Sequence, residues 1–210
     1  MKTIALMGAA ALTVVAPAAV AAPTVSFAGG SGATAPGTTV FQNFDSYAPG
    51  TSIGTNANIY DASISGVAAR PAYGSTGNFA AVLGGGSYTV NFAATNIFSF
   101  VLGSLDTYNS LKLLFSDNSS LTYQGGQIIN DLSFPSGNQI SGETNGVVTY
   151  RTNGGPQIVG ATFQSSQNSF EFDNLARGGV PEPATWALMI LGFGAVAGAM
   201  RRRRGALATA

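Results

Sequence analysis

Hydrophobic positions fall into three patterns along this chain. From Ile4 to Val15 they cluster, through the middle they alternate with polar residues in short bursts, and from Ala184 to Met200 they form an uncharged stretch. The middle predicts β-structure. Short runs of β-branched and aromatic residues are separated by Gly, Asn, Ser and Pro, and no stretch holds a helical period for three turns. Strand candidates are Thr39 to Asp45, Phe79 to Leu83, Tyr88 to Phe92, Ile97 to Leu102, Leu111 to Phe115 and Leu121 to Gln124. Further along come Ile128-Ile129, Val147 to Arg151, Ile158 to Phe163 and Phe170 to Asn174. Gly84-Gly85-Gly86 reads as a hairpin turn, and the glycine-rich excursion from Gly50 to Gly77 carries only weak strand signals. A spacing of roughly 8–12 residues predicts an all-β fold, a jelly-roll-like β-sandwich.

The two ends predict export. Lys2, the apolar run and the small-x-small set Ala19-Val20-Ala21 read as a signal peptide over 1–21, handled by the Sec translocon and a signal peptidase. At the other end, the seventeen residues 184–200 would make a helix of about 26 Å, close to the thickness of a bilayer core. Trp186 suits the headgroup level, Pro183 suits a first helical position, and Arg201, Arg202, Arg203 and Arg204 hold the far end in the cytoplasm. A buried core helix is the bland alternative, but it would show a polar stripe. Between the ends lie a loose leader (22–37) and one β-sandwich domain (38–177), with a short tail (205–210) after the arginines.

The order Pro181-Glu182-Pro183, apolar helix, arginine run resembles the PEP-CTERM sorting signal of exosortase-dependent surface proteins in Gram-negative bacteria, here over 178–204. That resemblance implies export across the inner membrane, temporary anchoring there by a single C-terminal transmembrane helix, and processing by an exosortase near the tripeptide. The final location would be the envelope or the extracellular matrix. The segment FSFVLGSLDTYNSLKLLFSDNSSLTYQG, with SFEFDNLA ahead of the tripeptide, is similar to bodies seen in the same group over about residues 71–177. The group is known by its sorting, so the likeness bears on fold and location.

Charge narrows the chemistry. Between the ends Arg70, Lys112, Arg151 and Arg177 stand against Asp45, Asp61, Asp106, Asp117, Asp131, Glu143, Glu171 and Asp173. A sparsely charged, mildly acidic surface does not attract nucleic acid; it suits polysaccharide, protein or calcium. The chain has neither cysteine nor histidine. Disulfides, Ser-His and Cys-His catalysis and imidazole or thiolate metal sites are therefore excluded.

Three sites remain as expectations. Alternation along Phe170 to Asp173 would bury the phenylalanines and leave Glu171 and Asp173 outward, where Asp173 with Asp45 from the first strand would hold a structural calcium. Asp106, Tyr108 and Asn109 in GSLDTYN read either as a tight turn or as a glycan contact with Tyr108 stacking on a sugar. Glu143 and Glu171 lie in no catalytic motif, so a non-enzymatic role is expected, structural in the envelope or exopolysaccharide, or alternatively lectin-like.

Overall fold

The computed structural model describes residues 22–179 and 189–195. The expected signal peptide, the tripeptide, Trp186 and the four arginines lie outside those residues. Of the stretch expected to span a membrane, residues 189–195 are described and are helical, with Met189, Ile190, Leu191 and Phe193 exposed. Among the described residues no helix is long and apolar enough to cross a membrane.

The rest is antiparallel β-structure. In chain order the strands are β1 (Thr24–Gly29), β2 (Thr38–Gln42), β3 (Ser52–Tyr60), β4 (Phe79–Thr95), β5 (Ile97–Leu102) and β6 (Asn109–Phe115). They continue with β7 (Ser120–Gln124), β8 (Gly146–Arg151), β9 (Ile158–Ser165) and β10 (Phe170–Gly178). They form one sheet in the order β1-β8-β5-β10-β4-β9-β6-β7, with β2 on β10 and β3 on β4.

That sheet curls. In a flat sheet β9 and β10, each beside β4, would stand two strand spacings apart, about 9.6 Å. Yet the rings of Phe163 on β9 and Phe172 on β10 stack at 3.8 Å. Phe100 meets Phe163 edge-on at 5.1 Å, Phe92 stacks on Phe98 at 5.0 Å, and Tyr123 meets Tyr150 at 4.9 Å. Each pair joins strands that are not neighbours in the sheet, so the far half lies over the near half with an aromatic core between.

The fold turns its corner inside β4. Phe79 to Val82 pair with β3, and Ala80 to Val82 with β10 as well, whereas Gly86 to Asn91 pair with β9, Ser87 also keeping a partner on β3. Gly84-Gly85-Gly86 is therefore a bend within one strand of 17 residues and not a hairpin turn. Gly85 has φ +72, and a Cβ on Gly86 would lie 2.7–2.8 Å from three carbonyl oxygens. Only glycine lets the strand fold this tightly.

Three further expectations change. The leader holds β1, paired with β8 from Thr24 to Gly29, so its alternating Val25 and Phe27 half-bury against the core. The glycine-rich excursion holds β3, whose Ala57 and Ile59 are fully buried although glycine and asparagine mask the alternation. Ile128 closes a 3₁₀ turn (Gly125–Ile128) in place of a strand, and its carbonyl accepts the buried Tyr150 hydroxyl at 2.8 Å.

Removing the ring from Phe172 should therefore cost far more than a surface change. Phe172→Ala is expected to lower unfolding free energy by about 3–5 kcal/mol, read from the urea midpoint; a loss under about 1 kcal/mol would contradict the packing described.

Candidate functional site

β10 has a second face, and it is not open. Residues 61–78, the connection between β3 and β4, lie across it. Arg70 holds this strap together by donating to the Gly77 carbonyl at 2.6 Å and to the Asp61 carbonyl, with its guanidinium 5.0 Å from the Phe79 ring centre. The strap is fixed to β10 by the Ala69 N–H on Glu171 Oε1 (2.8 Å) and by Asn174 Nδ2 on the Gly74 carbonyl (2.8 Å).

This corrects the expected alternation. Glu171 and Asp173 do not face solvent; they are 2% and 0% exposed, buried beneath the strap. Glu171 is well satisfied. Its Oε1 also accepts from the Ser169 hydroxyl, and its Oε2 from Ser104 Oγ at 3.1 Å. Burial nonetheless pushes its carboxyl above the usual range, against the pull of those donors. Asp173 is less well provided. Its Oδ1 takes the Asn174 N–H at 2.7 Å, but its Oδ2 is buried with no hydrogen-bond partner. Burial raises its carboxyl to about 7; the Asp45 charge pushes the same way, while Ser75 and Arg70 oppose it.

Asp45 sits just beyond β2 and is engaged locally. It accepts from the Asn78 N–H and from Asn43 Nδ2, both at 2.8 Å. Among the described residues no three of His, Cys, Asp and Glu gather in one group that could hold a metal ion.

The GSLDTYN residues divide. Asn109 is fully buried and structural: its Oδ1 accepts the Asp106 N–H at 2.8 Å, and its Nδ2 donates to Ser165 Oγ and to the Ser169 carbonyl. It closes the turn from Asp106 and ties it to β9 and β10. Asp106 and Tyr108 instead line a polar cleft of about 140 Å³ together with Glu171, Ser104, Ser169 and Asn168. Asp106 Oδ1 accepts from Ser136 Oγ at 3.0 Å, and the Tyr108 hydroxyl donates to the Asn168 carbonyl at 2.7 Å. Burial first, then the neighbouring Asp106 and Glu171 charges, raise the Tyr108 hydroxyl, which stays a proton donor at any physiological pH.

The structure places Asp106 and Tyr108 on one cleft with Glu171, a meeting that sequence reasoning missed. The signal was available only in part: SxE on β10 sets Ser169 beside Glu171, but nothing local says that Ser104 and the strap close around it.

β10 ends at Gly178, and from the next residue onward, over 179–204, the sequence matches the PEP-CTERM protein-sorting motif. The chain carries this sorting motif. It implies export, an exosortase as processing partner and delivery to the cell surface. No curated protein and no solved structure matches the chain.

The acids under the strap set a pH dependence. The folded pKa of Asp173 lies above its unfolded value of 3.8, so the folded state holds a proton the unfolded state has released between about pH 4 and 7. Stability should fall as pH rises through that window and stay low above it. Asp173→Asn should remove most of this slope and raise stability at pH 8 by about 1–3 kcal/mol. Urea titrations from pH 4.5 to 8 check this; an identical slope in the variant would contradict it.

Proposed function

We propose that this chain is an exported surface protein with a non-enzymatic, structural role in the envelope or exopolysaccharide. Residues 184–200 hold it in the inner membrane, Arg201 to Arg204 face the cytoplasm, and an exosortase cuts near Pro181-Glu182-Pro183. The observation that carries the reading is the sorting motif starting directly after the last strand, so that one β unit is the whole described payload. A jelly-roll-like sandwich accords with the curl over an aromatic core. The donors around Glu171 favour structure over catalysis: its carboxylate oxygens are taken up by the protein's own N–H and hydroxyl groups.

A second reading is a lectin-like module. It is favoured by the polar cleft, where the half-buried Tyr108 lies beside the buried carboxyls of Asp106 and Glu171. Calcium enters that reading through Asp45 and Asp173, since a hard cation would engage the unpartnered Asp173 Oδ2.

A glycan array probed with and without calcium separates the two. Uniformly flat signals support the structural role; binding that disappears in Tyr108→Ala supports the lectin. For the sorting step, replacing Arg201 to Arg204 with neutral residues should reduce membrane retention and processing, followed by fractionation and intact mass. Unchanged fractionation would overturn the proposed anchor.

A further inference from the structure

Among the described residues, four strands of the sheet have one partner only: β1, β7, β2 and β3. Proteins usually blunt such edges with bulges, charge or proline, because unpaired N–H and C=O groups invite another strand. Two of these edges are blunted. The pairing of β2 with β10 shifts register at Leu175/Ala176, and that of β3 with β4 shifts between Thr55 and Ala57. The end of β3 is also covered, since Gly50 donates to the Ile59 carbonyl and Ile59 to the Thr51 carbonyl. Within its own length β1 has no such protection, Pro23 standing just before it. Thr24-Val25-Ser26-Phe27-Ala28-Gly29 contains no charge and no proline, and it pairs with β8 in one unbroken register.

We propose that β1 is a self-pairing edge: two copies of this chain join through antiparallel β1–β1 pairing about a two-fold axis at Ser26. The direction of the free main-chain groups comes first. The Gly30 N–H bonds to the Asn145 carbonyl at 3.0 Å, continuing the register of Gly29 with Gly146. By the two-residue period, Thr24, Ser26 and Ala28 turn their main-chain groups toward β8, and Val25 and Phe27 turn theirs to the open edge.

The side-chain pattern then fits itself. With the axis at Ser26, Val25 of one copy stands opposite Phe27 of the second, Ser26 opposite Ser26, and Thr24 opposite Ala28. Val25 and Phe27 are half-buried on the core face, whereas Thr24, Ser26 and Ala28 are exposed on the other. The two-fold therefore sets apolar against apolar and polar against small; a one-residue slip would destroy that match.

Charge favours β1 over the remaining unblunted edge, β7. Across from Ser26 on β8 is the neutral Thr149, while across from Thr122, the centre of β7, is Lys112. Beside β1 runs a groove of about 550 Å³ lined in part by Val25, Leu121, Tyr123 and Leu132, the last 81% exposed. A second copy seated on β1 extends the apolar face that borders this groove.

The absence of cysteine makes the test clean, because a single introduced thiol can form a disulfide only with another copy. Ser26 would face its twin as a non-hydrogen-bonded pair, with Cβ atoms about 4.5–5.5 Å apart, close to disulfide reach. The protein purified from the envelope, carrying Ser26→Cys, should run as a dimer on a non-reducing gel after mild oxidation, and Thr122→Cys should not. Light scattering should give the unsubstituted protein twice its chain mass. Ser26→Lys, which sets like charges across the axis, should weaken that dimer at least about tenfold, with its circular dichroism unchanged. An unsubstituted protein that stays monomeric, a Ser26→Cys variant that fails to cross-link, cross-linking through Thr122→Cys in its place, or an undisturbed dimer in Ser26→Lys would each overturn the proposal.

Discussion

The stacking of Phe163 on Phe172 is the contact on which this fold depends. Strands separated by β4 can bring their rings to 3.8 Å only if the sheet folds back on itself, and both rings belong to the main hydrophobic core. The fold accepts local strain to complete it. Phe44, just after β2, is held at φ 62, a region that a bulky residue seldom occupies. It is fully buried there, with its ring 5.8 Å from Phe172 and 6.1 Å from Tyr88. Aromatic burial of this size is worth several kcal/mol, more than the roughly 1–3 kcal/mol such a backbone costs.

The strap poses the opposite problem, since it puts two carboxyl groups under cover two residues apart on one strand. Glu171 receives three donors and Asp173 Oδ2 none, so the two burials are not equivalent. A buried acid with donors fixes geometry: Glu171 ties the strap (through Ala69), the 103–106 turn (through Ser104) and β10 into one unit. A buried acid lacking a donor on one oxygen is instead a standing cost that protonation relieves. Because both lie on β10, the strand in the middle of the sheet, the polar cleft and the aromatic core share one foundation. One face of β10 builds the core, and the other holds the acids.

How much of this was legible in the sequence follows from which signals are local. Strands with clean alternation, such as Leu111 to Phe115 and Phe98 to Leu102, lie where their pattern puts them. β3 was obscured because Gly54, Asn56 and Asn58 break the appearance of a strand, although Ala57 and Ile59 are fully buried. Three consecutive glycines signal a change of direction but not its kind: a hairpin and a corner within one strand need the same residues, and only the pairing partners distinguish them. The outward placing of Glu171 and Asp173 failed for a related reason. Period-two alternation assumes one wet face, and nothing within Phe170 to Asp173 reveals that residues more than ninety positions earlier cover the other. The cleft is in the same case, since Ser104, Asp106 and Glu171 come from distant stretches that meet only after the sheet has curled.

The position of the sorting motif in this topology also has a mechanical consequence. It follows β10, which is flanked by β2 on one side and β5 on the other over its last residues, so the sorting motif leaves from a strand held along both edges. A force on the tail would act on a strand paired along both edges, not on an edge strand that could peel. β1 lies at the far end of the same layer, beyond β5 and β8, three strand spacings or about 14 Å from β10. The edge of β1 that has no partner among the described residues and the strand that leads into the sorting motif are thereby kept apart.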